Sequence, residues 1–276
     1  MAEADEDRIT RRDGPDHVAV LTLNRPDKLN AFDDVMLERF TERLRECEAD
    51  EDVRVIVVRG EGRCFSVGAD ASGSGRSEST PEDWRVMLLE RGWGRFLDLW
   101  ESPKVVVAEV HGFCMGIATL LCNCADIVVV ADDARVGWPA LPFGGGILGP
   151  AMVWHIGIHK AKELSFQIGS SMTGEEAERF GFANRCVPRA ELGAAVESLA
   201  ADIARFPPDL LRLKKEAINQ VAETMGFSRA MRAGATWGAL AHHSRGAEEA
   251  KAVVRELGLK GAIAHYRGEA PPTPDP

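Results

Sequence analysis

The sequence predicts one α/β domain followed by a helical C-terminal part. Short apolar segments typical of strands alternate with segments of helical period along the first half of the chain, without an internal repeat. After Gly144 the strand pattern fades and helical segments separated by Gly and Pro take over. The chain has 276 residues, 45% hydrophobic and 28% charged, which is ordinary for a folded globular protein. The alternation favours parallel βαβ units with helices covering the sheet.

The first elements follow from residue spacing. "HVAVLTLN" (17–24) alternates apolar with small or polar residues and predicts a strand, and the following "RPDKLN" predicts a turn. From Asp33 onward apolar residues recur at nearly 3.6-residue intervals, which predicts a helix whose first residues can cap it. "VRVIVVRG" (53–60) is almost wholly apolar and predicts a buried strand.

A long polar loop then separates two groups of elements. Residues 61–83 are rich in Gly and Ser and too numerous for a simple connector, so this loop either is mobile or lines a site. Residues 84–102 resume the helical period. "PKVVVAEVHG" (103–112) and "CADIVVVADDARVGWP" (124–139) predict two more buried strands.

The C-terminal half is predicted to be helical throughout. Helical segments separated by Gly and Pro cover residues 149–169, 173–181, 189–207, 208–220 and 228–257. The predicted organisation is a flexible N-terminus (1–14), an α/β core (15–200), a helical C-terminal region (201–265) and a frayed, Pro-rich tail (266–276).

Composition excludes several classes of partner. The 33 Lys and Arg against 43 Asp and Glu give a net charge of -10, which repels nucleic acid and anionic membranes unless a basic patch is hidden locally. No signal peptide or membrane-spanning apolar run is present, so a cytoplasmic location is expected. The six cysteines show no C-x-x-C spacing, and His155 and His159 lack the glutamate of H-E-x-x-H, so reduced thiols and no metal are expected.

Four motifs, in order, resemble the enoyl-CoA hydratase/isomerase (crotonase) superfamily. They are "LNRPDKLNAF" (23–32), "GRCFSVGAD" (62–70), "VHGFCMGIATLLCNCADIVVVADDARVGWP" (110–139) and "GEEAERFGFANRCVP" (174–188). The resemblance covers residues 15–260 and implies a crotonase-like ββα-repeat core. It also implies an acyl-CoA thioester as the substrate without a permanently bound cofactor, and a homotrimer or dimer of trimers whose subunits meet through region 201–265.

The resemblance further implies a backbone oxyanion hole. By motif position its donors are the N–H groups of Ala69, after Gly68, and Ile117, after Gly116. Two fixed N–H donors in a dry pocket stabilise a thioester enolate by several kcal/mol, and a helix N-terminus adds partial positive charge. The alternative is that Gly112 and Gly116 only permit a tight turn from strand to helix.

Coenzyme A would lie along the first two motifs. The matching positions are Lys28, Leu29, Ala31, Ser66, Gly68, Ala69 and Asp70, with Gly116, Ile117, Pro139 and Ala140 completing the substrate site. Lys28 either meets a phosphate or is merely solvated. Asp70 either binds the ligand or caps the next segment.

The family's usual carboxylates are absent from their motif positions, which hold Leu120, Ala140 and Leu148. Hydration requires general acid-base groups, each contributing roughly 10²–10⁴-fold, so ordinary hydratase activity is expected to be very slow. Possible surrogates are Glu90, Asp98 and Glu101, in a segment that lines the acyl pocket in the family, although each also fits a solvated helix face. His111 is interpreted as structural, and Trp138 as a pocket wall or a core residue.

The expected function is therefore that of an acyl-CoA-binding lyase or isomerase that depends on enolate stabilisation. Two alternatives stay open. One is a catalytically degenerate protein that only binds acyl-CoA. The other is a hydrolase of carbon–carbon bonds on the same fold, which would act without CoA.

Overall fold

The computed structural model describes residues 8–70, 80–90, 93–138 and 149–270. A six-stranded sheet forms its centre, in the order β1-β2-β3-β4-β6-β9, and a smaller sheet has the order β5-β7-β8. The strands are β1 Ile9–Asp13, β2 Val18–Leu23, β3 Val55–Gly60, β4 Val105–Val110, β5 Phe113–Met115, β6 Ile127–Ala131, β7 Arg135–Gly137, β8 Met172–Thr173 and β9 Arg185–Val187.

The central sheet is parallel except at one edge. Strands β2, β3, β4, β6 and β9 pair in parallel, whereas β1 pairs antiparallel with β2. In β4 every residue is buried, which is why its sequence reads as an unbroken apolar run apart from Glu109. The carboxyl ends of β2, β3 and β4 lead into the three segments that carry the first three motifs.

Ten α-helices are described. They are α1 Asp34–Ala49, α2 Pro81–Glu90, α3 Leu97–Glu101, α4 Ile117–Cys124, α5 Gly149–Phe166, α6 Gly174–Phe180, α7 Leu192–Ala204, α8 Pro208–Thr224, α9 Phe227–His242 and α10 Arg245–Arg267. As predicted, Asp33 caps α1: its Oδ1 accepts from the Met36 N–H at 2.9 Å. The predicted class, α/β with a helical C-terminal part, is confirmed.

Each face of the sheet has its own apolar core. The larger core joins the face of α1 that carries Phe40 and Leu44 to α4 and to the inward side chains of β2, β3 and β4. The smaller core lies on the other face under α7, where Leu192, Val196 and Ala200 pack against the strands. Because both faces are covered, the strand ends rather than the sheet faces are free to form a site.

The N-terminal segment differs from the expectation. Residues 1–14 were expected to be flexible, yet Ile9–Asp13 form β1, and the Ile9 side chain is fully buried. The segment "ITRRD" has a single large apolar side chain, so its local pattern is not that of a strand. The strand is instead stabilised by its pairing with β2 and by the ion pair between Arg11 and Asp50 (2.5 Å).

The C-terminal half is not purely helical. Strands β8 and β9 are two and three residues long, too short for a periodicity signal, and they form only because β7 and β6 offer edges to pair with. The helix expected over 228–257 is two helices, because Ser244 starts α10 by accepting from the Ala247 N–H. Among the described helices, none combines the length and apolarity needed to cross a bilayer.

A buried ion pair anchors the C-terminal helices to the sheet. The Lys215 ammonium on α8 lies 2.9 Å from Asp126 Oδ2 and also donates to the carbonyls of Leu99 and Lys104. Asp126 accepts in turn from the Val106 N–H at the start of β4. Burial raises the pKa of Asp126, while Lys215 lowers it. One side chain therefore connects α8, α3 and the central sheet.

Replacing Lys215 with methionine tests this anchor. Lys215→Met leaves Asp126 buried without its cation, and such a loss costs about 3–5 kcal/mol of unfolding free energy. The matched control is Arg212→Met, because the Arg212–Glu216 pair on the same helix is exposed, with atoms 3.4 Å apart, and such pairs contribute at most about 1 kcal/mol. Denaturant unfolding at one fixed protein concentration measures both. Equal, small losses in the two variants would contradict the anchoring role.

Candidate active site

The first segment of the site is the turn that joins β2 to α1. A short 3₁₀ helix, Pro26–Lys28, is followed by Leu29 and Asn30, whose φ angles of 53° and 54° are left-handed. Hydrogen bonds of the Asn30 side-chain amide offset the free-energy cost of this left-handed backbone. The amide oxygen accepts from the Arg25 N–H, and the amide nitrogen donates to the carbonyls of Glu61 and Cys64, all at 2.8–2.9 Å. Asn30 thus ties the first turn to the loop after β3.

Ser66 continues this connection. Its hydroxyl donates to the Asn30 carbonyl at 2.7 Å and accepts from the Gly68 N–H at 3.1 Å. The side chain is fully buried. The Ser66 hydroxyl proton is therefore used within the protein, and any contact of Ser66 with a ligand would be through neighbouring backbone.

The orientation of the Ala69 N–H follows from two hydrogen bonds on either side of it. Phe32 N–H donates to the Gly68 carbonyl, and Asp70 N–H donates to the Phe32 carbonyl, both at 2.8 Å. In a trans peptide the C=O and the N–H point in opposite directions. Since the Gly68 carbonyl points at Phe32, the Ala69 N–H points away from Phe32. Among the described residues, no backbone carbonyl accepts a hydrogen bond from the Ala69 N–H.

The second donor lies at the start of α4. The Gly116 N–H is taken by the Gly137 carbonyl at 2.9 Å, and the Gly116 carbonyl accepts from Thr119 N–H and Oγ1. By the same trans-peptide geometry, the Ile117 N–H points out of the helix N-terminus, where backbone donors have no partner within the helix. The helix dipole adds partial positive charge at this point.

The structure brings the two donor segments into contact. Gly68 has a φ of 95° and Gly116 a φ of 57°. A Cβ on Gly68 would lie 2.6 Å from the Met115 carbonyl oxygen, closer than any side chain tolerates, and 3.4 Å from the Gly116 Cα. Parallel pairing of Ser66 with Cys114 sets this register. Gly68 is required for the approach itself, whereas a Cβ on Gly116 would lie 3.8 Å from the Gly68 Cα, an ordinary contact, so Gly116 is favoured there by its positive φ alone.

The positions that lack carboxylates are only partly described. Leu120 lies one turn into α4 from Ile117 and is fully buried in the larger core. Pro139, Ala140 and Leu148 lie outside the described residues. Of the three positions where relatives carry a carboxylate, Leu120 is therefore the one that is described, and its side chain is apolar.

Two of the three predicted surrogate acids line a cavity. Glu90 and Asp98 line a polar cavity of about 390 Å³ beside α1, and neither Ala69 nor Ile117 is among its lining residues. Burial raises the pKa of Asp98, and the charges of Arg45 and Arg95 lower it to a smaller extent. Glu101 is exposed at the end of α3. A catalytic role for these three acids stays a prediction.

Lys28 and Asp70 have different environments. Lys28 is exposed at the end of the 3₁₀ helix. The Asp70 carboxylate instead accepts from Arg25 Nη1 at 2.6 Å. Sequence reasoning missed Arg25, because its partner lies 45 positions further along the chain. The only available signal was an unassigned Arg in the first motif, since Asp70 is interpreted from the sequence as a ligand-binding or capping residue.

Two further residues are interior. His111 is 3% exposed, its Nε2 lies 3.0 Å from the Gly62 carbonyl oxygen, and burial lowers its pKa, so the ring is neutral at neutral pH. This agrees with a structural role in holding the loop after β3. Trp138 is 1% exposed within the larger core. Within the described residues, no group of three metal-binding side chains occurs.

Comparison with known proteins identifies the family of the chain. The family model described as enoyl-CoA hydratase/isomerase matches residues 13–246. The short-chain-enoyl-CoA hydratase of Clostridium acetobutylicum is 32% identical over 209 residues, covering 74% of this chain and 78% of the relative.

Solved structures extend the similarity to nearly the whole chain. A protein from Novosphingobium aromaticivorans DSM 12444 with a provisional enoyl-CoA hydratase/isomerase name is 36% identical, with a TM-score of 0.89 and 96% of both chains covered. An enoyl-CoA hydratase/isomerase from Xanthobacter autotrophicus Py2 is 30% identical, with a TM-score of 0.86 over 96% of this chain and 99% of that one. With its fold, its ordered motifs and these matches, the chain belongs to the enoyl-CoA hydratase/isomerase family, within the crotonase superfamily.

Proposed function

We propose that the protein binds an acyl-CoA thioester and stabilises its enolate with the N–H groups of Ala69 and Ile117. The observation that carries this proposal is the contact between Gly68 and Gly116, which places two peptide groups with outward N–H bonds side by side. The thioester oxygen would accept from both donors. Such donors are fixed before the reaction begins, so they need no reorganisation as charge develops.

The chemistry that suits this site transfers charge to the thioester oxygen. Removing a proton from the α-carbon, or breaking a carbon–carbon bond at that carbon, sends an electron pair into the carbonyl and forms the enolate. Isomerisation and retro-condensation both pass through this species. A group on the substrate or a surrogate such as Glu90 would act as the base. The position of Glu90 and Asp98 in the cavity beside α1 favours the substrate's own group.

Ordinary hydration fits the site less well. It requires one group to position and activate water and another to deliver a proton. Leu120 offers only a buried alkyl side chain, and Ala140 and Leu148 are apolar by sequence.

The coenzyme would follow the first two segments. Lys28 is exposed beside the first turn and is positioned to meet a phosphate. Leu29, Ala31, Ser66, Gly68, Ala69 and Asp70 would contribute mainly backbone, as expected for residues whose side chains are occupied or small. Gly116 and Ile117 would complete the thioester end, with Pro139 and Ala140 as further substrate positions. Coenzyme A enters and leaves as part of the substrate, so no permanently bound cofactor is proposed.

A binding protein without catalysis is the second candidate. The burial of Leu120 favours it, because a site with backbone donors and no acid or base would hold a thioester without turning it over. A carbon–carbon bond hydrolase acting on a substrate free of CoA would use the same donors but should ignore free CoA.

Exchange with deuterated water separates the candidates. We expect the enzyme to incorporate deuterium at the α-carbon of 3-enoyl-CoA thioesters, because enolate formation is reversible, while it hydrates crotonyl-CoA far more slowly than about 10 s⁻¹, the rate of a typical enzyme. Mass spectrometry of the thioester measures both reactions, and calorimetry with CoA and acyl-CoA measures binding.

Each other outcome of these measurements leads to a different conclusion about function. Binding without exchange indicates the non-catalytic candidate, and no heat with any CoA compound rejects the acyl-CoA proposal. Rapid hydration of crotonyl-CoA would mean that the catalytic residues have been assigned wrongly.

The variant Gly68→Ala tests the donor contact. Its Cβ would push the loop away from Met115 and turn the Ala69 N–H, so we expect exchange to fall by about 10²–10³-fold, as when one oxyanion donor is removed. The control is Gly193→Ala on α7, where a Cβ would meet nothing within 4 Å. Wild-type exchange in Gly68→Ala with native stability would exclude Ala69 as a donor.

We also propose that the C-terminal region forms a homotrimer or a dimer of trimers. Helix α8 exposes Leu213, Ile218 and Val221 at 52%, 69% and 62%, which is more apolar surface than a free helix face usually carries. We expect light scattering at micromolar concentration to give a multiple of three chain masses, and Ile218→Asp with Val221→Asp to reduce it. A single chain mass for the wild type would refute this assembly.

A further inference from the structure

We infer that Arg25 and Asp70 are positioning residues that fix the direction of the Ala69 N–H. This inference rests on the proposed function, because it concerns the same donor. The two side chains come from different motifs and are joined by an ion pair of 2.6 Å. Only 16% and 13% of their surfaces are exposed.

Asp70 is the residue directly after the donor. Its N–H is held by the Phe32 carbonyl, and its carboxylate is held by Arg25. On the other side of the donor, the Gly68 carbonyl is held by the Phe32 N–H. The Ala69 peptide is therefore restrained by backbone bonds on both sides and by one charged side-chain contact. Asp70 is the last described residue before the gap at 71–79, so the ion pair lies at the end of the described part of this loop.

Arg25 connects this point to the first turn. Its guanidinium donates to the Ala31 carbonyl at 3.0 Å as well as to Asp70, and its backbone N–H donates to Asn30 Oδ1. Both bonds come from Nη1, whose two N–H bonds are fixed in the guanidinium plane, whereas a lysine ammonium rotates freely about its bond to the side chain. A shift of the first turn would thus be passed to Asp70, and from Asp70 to the adjacent donor.

The charges around Arg25 argue against a direct role in binding phosphate. Arg25 lies 3.5 Å from Asp33 in addition to its contact with Asp70, and Asp33 also pairs with Arg8. Two cations and two carboxylates balance in this cluster. A phosphate at this guanidinium would compete with two carboxylates that already neutralise its charge. The geometry therefore assigns Arg25 to the architecture of the site rather than to contact with the coenzyme.

Kinetics of the pair test the inference. The variants are Asp70→Asn, Arg25→Met, the double variant and Arg25→Lys. Because misplacing a catalytic group by an ångström costs up to about 10²-fold, we expect kcat for α-proton exchange to fall about tenfold to a hundredfold in either single variant. The KM and the Kd for free CoA should change by less than about threefold, as for loss of an interaction made only in the transition state. The double variant should be no slower than the slower single variant.

Controls separate positioning from general damage. Arg245→Met breaks an equally close ion pair, with Glu249 at 2.8 Å, but its side chain is 93% exposed on α10, so wild-type kinetics are expected. Arg25→Lys keeps the positive charge but lacks the planar guanidinium, so it should recover only part of the rate lost in Arg25→Met. Hydrogen-exchange mass spectrometry should show faster exchange in peptides covering residues 25–32 and 66–70, with no change in α10.

Different results overturn different claims. A rise in KM and in the Kd for CoA with unchanged kcat would make Arg25 a phosphate ligand and refute the positioning role. Additive losses in the double variant would refute coupling through the ion pair. Unchanged hydrogen exchange at 66–70 would refute the restraint itself, whatever the activity. A wild type that neither binds acyl-CoA nor exchanges its α-proton would instead refute the function on which the inference rests.

Discussion

The close approach of two backbone segments at Gly68 and Gly116 is the constraint on which the site depends. The Cβ of any other residue at Gly68 would collide with the Met115 carbonyl, so the loop after β3 and the entry to α4 can touch only where side chains are missing. Several features of the chain serve that contact. The parallel sheet aligns the two segments, pairing of Ser66 with Cys114 sets their register, and Asn30 and Ser66 brace the first turn against the loop.

A site built from peptide groups has a particular consequence. Its backbone N–H donors remain when the side chains around them are substituted. The apolar residues Leu120, Ala140 and Leu148 therefore replace the family's carboxylates without removing the donors. Leu120 shows this directly, since it is fully buried among apolar neighbours on the helix whose first N–H would serve as a donor. Under the proposed function, this scaffold would stabilise an enolate without the carboxylates that position water. Proton transfer in the proposed reaction would then come from the substrate itself or from other acids.

The sequence predicted those parts of the structure that depend on local pattern. Buried parallel strands such as Val105–Val110 are apolar throughout, and α1 combines a helical period with a capping Asp33, so both were found from the letters alone. The positions of Ala69 and Ile117 came from motif resemblance. Contacts between distant residues were not predictable in this way. The strand at Ile9–Asp13 depends on pairing with β2, and the partnership of Arg25 with Asp70 spans 45 positions that no spacing rule connects. The polar cavity lined by Glu90 and Asp98 was likewise not predictable, because it forms where α1 packs against the segment after α2.

The central claim is that Ala69 and Ile117 donate together to a thioester oxygen, and the vibrational frequency of that carbonyl reports on it directly. Infrared difference spectra of an acyl-CoA labelled with ¹³C at the thioester carbon isolate the C=O stretch of the bound ligand from protein bands. Two fixed donors at a helix N-terminus polarise the bond, so we expect a stretch at clearly lower frequency in the complex than in water, and a return toward the solution value in Gly68→Ala. A bound thioester whose carbonyl absorbs at its solution frequency in the wild-type protein would contradict the account.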